Sequence, residues 1–145
     1  MRRTILTMAT AAMMTAGYLM AGGFWLQVGN PEASAEARKI NAVATFKAAG
    51  CSDPAKAQVT ATAVGVVNGQ RKSIPVEVTK LSEPGMFAIT QQWPKEGKWV
   101  IQMEARSEGR VTSTLLTAGP QGVDRLHAKS EMRPFAASEV ESLLQ

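Results

Sequence analysis

Along most of the chain, apolar and β-branched residues recur at every second position, the spacing of a strand with one buried face. The pattern is clearest between Met86 and Ala118. Runs 86–93, 98–106 and 110–118 are separated by Pro94-Lys-Glu-Gly97 and Ser107-Glu-Gly109, and together they predict an antiparallel meander. Parity places Phe87, Ile89 and Trp93 on one face of the first run, and Trp99, Ile101 and Met103 on one face of the second. These six are the predicted core, with Val111, Leu115 and Leu116 closing the sheet from the third run.

Upstream, residues 40–46 alternate weakly and are expected to form a first strand, followed by a turn cluster around Asp53-Pro54. Run 57–67 changes parity, from Val59, Ala61 and Ala63 to Val64 and Val66, which predicts a bulge or bend near Gly65. Asn68-Gly69 is the dipeptide that tolerates positive φ at both central positions of a type I′ turn. It predicts a two-residue hairpin joining 57–67 to 71–81. Pro75 cannot donate to a ladder and marks that second arm as an edge. Gly119-Pro120-Gln121-Gly122 is expected to end the sheet, leaving an irregular tail. Ser138 and Glu141 have capping-box spacing ahead of Leu143 and Leu144 and predict a short C-terminal helix. Six strands in about 80 residues without a helix between them point to an all-β fold, a small antiparallel sandwich of the immunoglobulin-like kind.

The N-terminal stretch does not share this alternation. Arg2 and Arg3 are followed by no charged residue until Glu32, and the small-residue triplet Ala33-Ser34-Ala35 follows the apolar run. Basic start, apolar middle and small residues are the parts of an export signal, with cleavage expected after Ala35. The run is also long enough to cross a bilayer as an uncleaved anchor helix. Either way the domain is expected outside the cytoplasmic membrane, periplasmic or extracellular. The expected organisation is signal or anchor over 1–35, lead and first strand over 36–56, sandwich over 57–118 and tail with short helix over 119–145.

Charge and chemistry narrow the functional classes. Leaving out Arg2, Arg3 and Glu32, basic residues number 14 and acidic ones 11, scattered without a basic stripe or interleaved aromatics. That excludes the footprint of a nucleic-acid surface. The single Cys51 allows no internal disulfide. Ala48-Ala49-Gly50-Cys51 has the outline of a lipobox, but Arg38, Lys39 and Lys47 stand where the apolar run should be, so Cys51 reads as a small apolar residue at a strand end. There is no Gly-x-Ser-x-Gly elbow, and no phosphate loop follows Gly65 or Gly69. The expectation is a non-enzyme without a cofactor, whose partner is another envelope protein docking at the Pro75 edge or the leucine-bearing tail. One metal alternative is copper(I) drawn to His127, Met132 and Cys51, since imidazole, thioether and thiolate suit that ion.

The order Gly69, Ile74-Pro75-Val76, Glu83-Pro84-Gly85-Met86-Phe87, Gly97-Lys98-Trp99-Val100-Ile101 and Gly109 resembles the secreted immunoglobulin-like domains of the YtkA-like and FixH-like group. The likeness covers roughly residues 57–118. It implies the same sandwich and export, and a role beside copper, because FixH-like members are associated with assembly of copper-containing oxidases and the related CopC-like sandwiches bind that metal. The N-terminal histidine of CopC-like sites has no counterpart after Ala35.

Overall fold

The computed structural model describes residues 23–50 and 53–145. Among the described residues nine antiparallel strands form two sheets: β1 (Phe24–Gly29), β2 (Ala42–Gly50), β3 (Gln58–Val67), β4 (Gln70–Val76), β5 (Val78–Lys80), β6 (Met86–Thr90), β7 (Lys98–Ser107), β8 (Arg110–Gly119) and β9 (Gly122–Glu131). One sheet has the order β1-β2-β6-β5 and the other β4-β3-β7-β8-β9. The described residues also form two short α-helices, α1 (Ala35–Lys39) and α2 (Ala137–Leu144).

The main core fills the space between the sheets. Phe24, Leu26, Phe46, Phe87 and Ile89 from the four-stranded sheet meet Ala61, Ala63, Trp99, Ile101, Met103 and Leu116 from the five-stranded one, with Trp93 closing one end. All six residues expected in the core from parity are buried there. Trp99 lies opposite Gly65 in the β3–β7 ladder. A Cβ on Gly65 would come within 2.3 Å of the indole, so the ring lies flat on a backbone that only glycine leaves bare. The indole Nε1 donates to the Glu96 carbonyl at 2.9 Å, so burial leaves no polar orphan on that ring.

The parity change in β3 has a different origin from a bulge. Ladders on both sides of β3 run unbroken through Gly65. The strand is apolar on both faces because both are covered: Ala61 and Ala63 face the other sheet, while Val64 packs on a second cluster of Val100, Leu115, Phe135 and Val140 with Leu143 and Leu144. α2 therefore lies on the outer face of the five-stranded sheet. Its leucine-bearing tail is docked and half-buried, and does not stand free for a partner. Ser138 is not the cap. The Glu139 carboxylate accepts from the Ala136 N–H at 2.8 Å and takes a two-pronged ion pair from Arg133, at 2.8 and 2.9 Å. The Arg133 guanidinium, followed by the Ala136 N–H, holds the Glu139 carboxyl down at about 2.

Asn68 and Gly69 both take positive φ, 51° and 75°, and join β3 to β4 as a two-residue hairpin. Glu108 and Gly109, with φ of 50° and 77°, join β7 to β8 in the same way. Three connections differ from expectation. The arm 71–81 is not one strand: at Glu77 the chain leaves β4, the edge that carries Pro75, and crosses to the other sheet as β5. The Gln92 side chain satisfies the backbone at that step, accepting from the Glu77 N–H at 2.7 Å and donating to its carbonyl at 3.0 Å. β6 and β7 belong to different sheets, so Pro94–Gly97 is a crossover, and the meander is β7-β8-β9. Gly119-Pro-Gln-Gly122 does not end the sheet; it turns β8 into β9.

The sandwich also begins before residue 57. β1 pairs with β2 along its full length and contributes the buried Phe24 and Leu26. Ala35, expected as a cleavage point, is the first residue of α1, whose cap is the Ser34 hydroxyl accepting from the Ala37 N–H at 3.2 Å.

This packing can be tested at two points. Gly65→Ala is expected to lower the urea midpoint through about 1–3 kcal/mol of overpacking against Trp99, with an unchanged m-value; a midpoint equal to wild type would show that the ring is free to move. A chain beginning at Gly23 is expected to unfold cooperatively in urea, and one beginning at Glu36 to lose that transition. Burial of Phe24 and Leu26 is worth about 1.5–3 kcal/mol each in a fold stable by roughly 5–15. Equal midpoints for the two chains would remove β1 from the cooperative unit.

Candidate functional site

β9 is the outer edge of the five-stranded sheet, and it departs from regular pairing near its middle. Between Thr117↔Asp124 and Leu115↔Lys129, β8 advances two residues while β9 advances five. The surplus residues bow outward as a bulge, the device by which sheet edges re-aim side chains. Asp124 fastens it: Oδ1 accepts from the backbone N–H groups of Leu126 and His127 at 3.1 and 3.2 Å, and Oδ2 lies 2.8 Å from His127 Nδ1. Arg125 ties the base of the bulge to the other sheet through the Val43 carbonyl at 3.0 Å. The hydrogen bond from the His127 ring, followed by those from the His127 and Leu126 backbone N–H groups, holds the Asp124 carboxyl lower than usual against desolvation, which raises it. Leu126 is displayed at the crest, 92% exposed.

The other two exposed large apolar side chains among the described residues are Trp25, at 41%, on β1, and Met132, at 70%, directly after β9. They border one open hollow of about 340 Å³ with Gly23, Thr112 and Ser130. A second hollow, about 480 Å³, adjoins it through Gly23 and Met132 and reaches Arg110, Val111 and Pro134. All three exposed side chains thus come from β1 or from β9 and its end.

His127 sits on a strand and not in an irregular tail. Five positions separate it from Met132, on the order of 15 Å of extended chain, so the two proposed copper ligands do not converge. Cys51 lies outside the described residues. Among the described residues, no three His, Cys, Asp or Glu side chains gather in a group that could hold a metal.

Nucleophile activation needs a third group beside a hydrogen-bonded acid and imidazole such as Asp124 and His127. The hollow beside them is lined by Val28, Gly29, Asn30, Val123, Asp124, Arg125 and Leu126, with neither serine nor cysteine. Among the described residues no helix is long and apolar enough to cross a membrane. No family model, curated protein or solved structure matches the chain. Parity rules had no means of finding the bulge; the signal within the sequence was Asp124, an Asx-turn former, placed two residues before an apolar residue in a polar stretch.

Asp124→Ala is expected to free the Leu126 and His127 amides, read as faster hydrogen exchange at those two positions alone. In the wild type, a carboxyl whose folded pKa lies below its ordinary 3.8 holds the bulge fully above that pH and releases it as the pH falls further. Exchange at Leu126 that is insensitive both to the substitution and to pH 2–4 would show that the carboxylate does not fasten the loop.

Proposed function

We propose that this chain is a non-enzymatic, exported envelope protein whose immunoglobulin-like sandwich serves as a binding module for another envelope protein. The immunoglobulin-like reading rests on strand order. Constant-type domains arrange A-B-E-D on one sheet and C-F-G on the other. β1-β2-β6-β5 follows the first, β3-β7-β8 follows the second, β4 occupies the place of an added strand beside C, and β9 is an extension beyond G. The kinship with YtkA-like and FixH-like domains draws support from the placement of its residues: Glu83-Pro84-Gly85 leads into β6, and Gly97 leads into β7 with Trp99 at its start.

The observation that carries the binding role is the display of Leu126, 92% exposed, in the bulge of the edge strand β9. Leu126 stands on a bulge fastened by side-chain hydrogen bonds, so it is presented at a fixed place, and a preorganised apolar anchor loses less entropy on docking than a mobile one. Export agrees with the uncharged apolar sequence from Thr4 to Gly22. Because β1 is integral to the sandwich, an export cut would fall before Phe24 and not after Ala35. The copper role gains no support from the places of His127 and Met132.

A photo-crosslinking amino acid at Leu126, introduced into cells producing the chain, is expected to give a discrete protein adduct in the envelope fraction. The same residue at Lys72, on the opposite edge strand β4, is expected to give none. Adducts at Lys72 without adducts at Leu126, or recovery of the chain solely from the cytoplasm, would overturn the proposal.

A further inference from the structure

The geometry points to a second contact surface, at the end of the sandwich where the chain enters it: the face formed by Gly23, Trp25 and Met132 rests on the surface of a phospholipid bilayer. This rests on the export reading in its uncleaved form. Strand directions fix which residues share that end. β1 starts there at Phe24, paired with Gly50, and β9 finishes there, with Glu131 paired to Ser113. The Glu108-Gly109 turn closes β7 onto β8 at the same end, while Pro120-Gln121 lies at the far end.

Three observations converge on lipid as the occupant. First, Trp25 and Met132 meet over Gly23, where an added Cβ would lie 3.2 Å from the Met132 sulfur and 3.5 Å from the Trp25 ring. They form a contiguous apolar patch beside an open hollow and not two scattered side chains. Second, the sequence that runs into Gly23 carries no charged residue over the 19 positions from Thr4 to Gly22, 13 of them apolar or aromatic, close to the roughly 20 positions a bilayer-crossing helix needs. Third, no linker intervenes: β1 begins one residue after Gly23, and Trp25 is the second residue of the strand. A domain joined so directly to a membrane-crossing sequence is held with this end at the headgroup layer. Tryptophan is the side chain favoured at that depth, with its ring among acyl chains and its N–H in the wet interface. Methionine adapts to an irregular apolar surface. The far end, with the Asn68-Gly69 and Pro120-Gln121 turns, then points away from the membrane, and the β9 bulge faces sideways, clear for a protein partner.

The test uses the full chain reconstituted in vesicles of phosphatidylethanolamine and phosphatidylglycerol. A genetically encoded diazirine amino acid replaces Met132 in one sample and Gln121 in another. Six residues of β8 separate the paired positions nearest these two sites, on the order of 20 Å. After flotation and illumination, mass spectrometry is expected to show phospholipid adducts at 132 at least fivefold above those at 121. Flotation with equal adduct levels at both positions would leave the anchor intact and overturn the lipid-facing surface. Adducts at 132 that join the segment 1–22 or a second copy of the chain would overturn that surface too, since the patch would then have another occupant. A chain that fails to float with the vesicles would overturn the uncleaved anchor and the surface with it.

Discussion

The contact on which the architecture turns is the flat stacking of Trp99 on the bare backbone of Gly65. It fixes the register of β3 against β7, the central strand of the five-stranded sheet. A slip of one residue would bring Val64 or Val66 beneath the indole and turn the apolar rows of both strands to the wrong faces. β4 hangs from β3 through a two-residue turn, and β8 hangs from β7 through another. The whole sheet therefore inherits its alignment from one aromatic ring and one missing side chain. The ring brings its own polar handle into the interior, and the Glu96 carbonyl in the Pro94–Gly97 crossover accepts it. The crossover that carries the chain between sheets is thus also the partner of the residue that aligns one of them.

The five-stranded sheet is covered on both faces, and that fact explains the sequence of β3 and β7 better than any local rule. Trp99, Ile101 and Met103 look inward while Val100 looks outward to α2. A helix of eight residues is marginal in water by itself. Here it is held by Phe135 and Val140 in the second cluster and by the Arg133–Glu139 fork at its start, with Arg71 paired to Glu141 along its length and Lys98 donating to the Gln145 carbonyl at 2.7 Å. Both Glu139 carboxylate oxygens are engaged, by the Arg133 guanidinium and the Ala136 N–H, at the point where β9 gives way to the helix.

What could be read in the sequence was whatever is settled within a few residues. Asn68-Gly69 and Glu108-Gly109 declare their turns because positive φ is demanded at adjacent positions. The alternation of Phe87 with Ile89, and of Trp99, Ile101 and Met103, declares a buried face. Alternation does not say which sheet a strand joins, so Pro94–Gly97 has the look of a hairpin loop when it is a crossover, and 71–81 that of one strand when it is two. A change of parity in β3 has two physical causes, a bulge or burial on both faces, and only the position of α2 separates them. β1 was hidden for another reason: Phe24, Leu26 and Val28 continue the apolar run before them, so composition masks their alternation with Trp25 and Gln27. β9 was hidden because an edge strand whose outer side is wet needs few apolar residues; Val123 and Ala128 are its contribution to the core.

The two outer edges of the five-stranded sheet are interrupted in two different ways. Exposed edges invite strand addition unless something interrupts them. On β4 the interruption is Pro75, which has no N–H to offer. On β9 it is the bulge at Leu126 and His127, which breaks the row of backbone groups that an incoming strand would need. Neither edge is therefore a template for main-chain pairing along its length. The difference lies in what replaces the lost pairing. β4 presents Gln70, Arg71, Lys72 and Ser73, a solvated polar strip. β9 presents an apolar side chain on a loop fastened by a carboxylate. Both interruptions break the row of backbone groups, but the first leaves a polar strip in its place, whereas the second leaves an exposed apolar side chain on a loop held by side-chain hydrogen bonds.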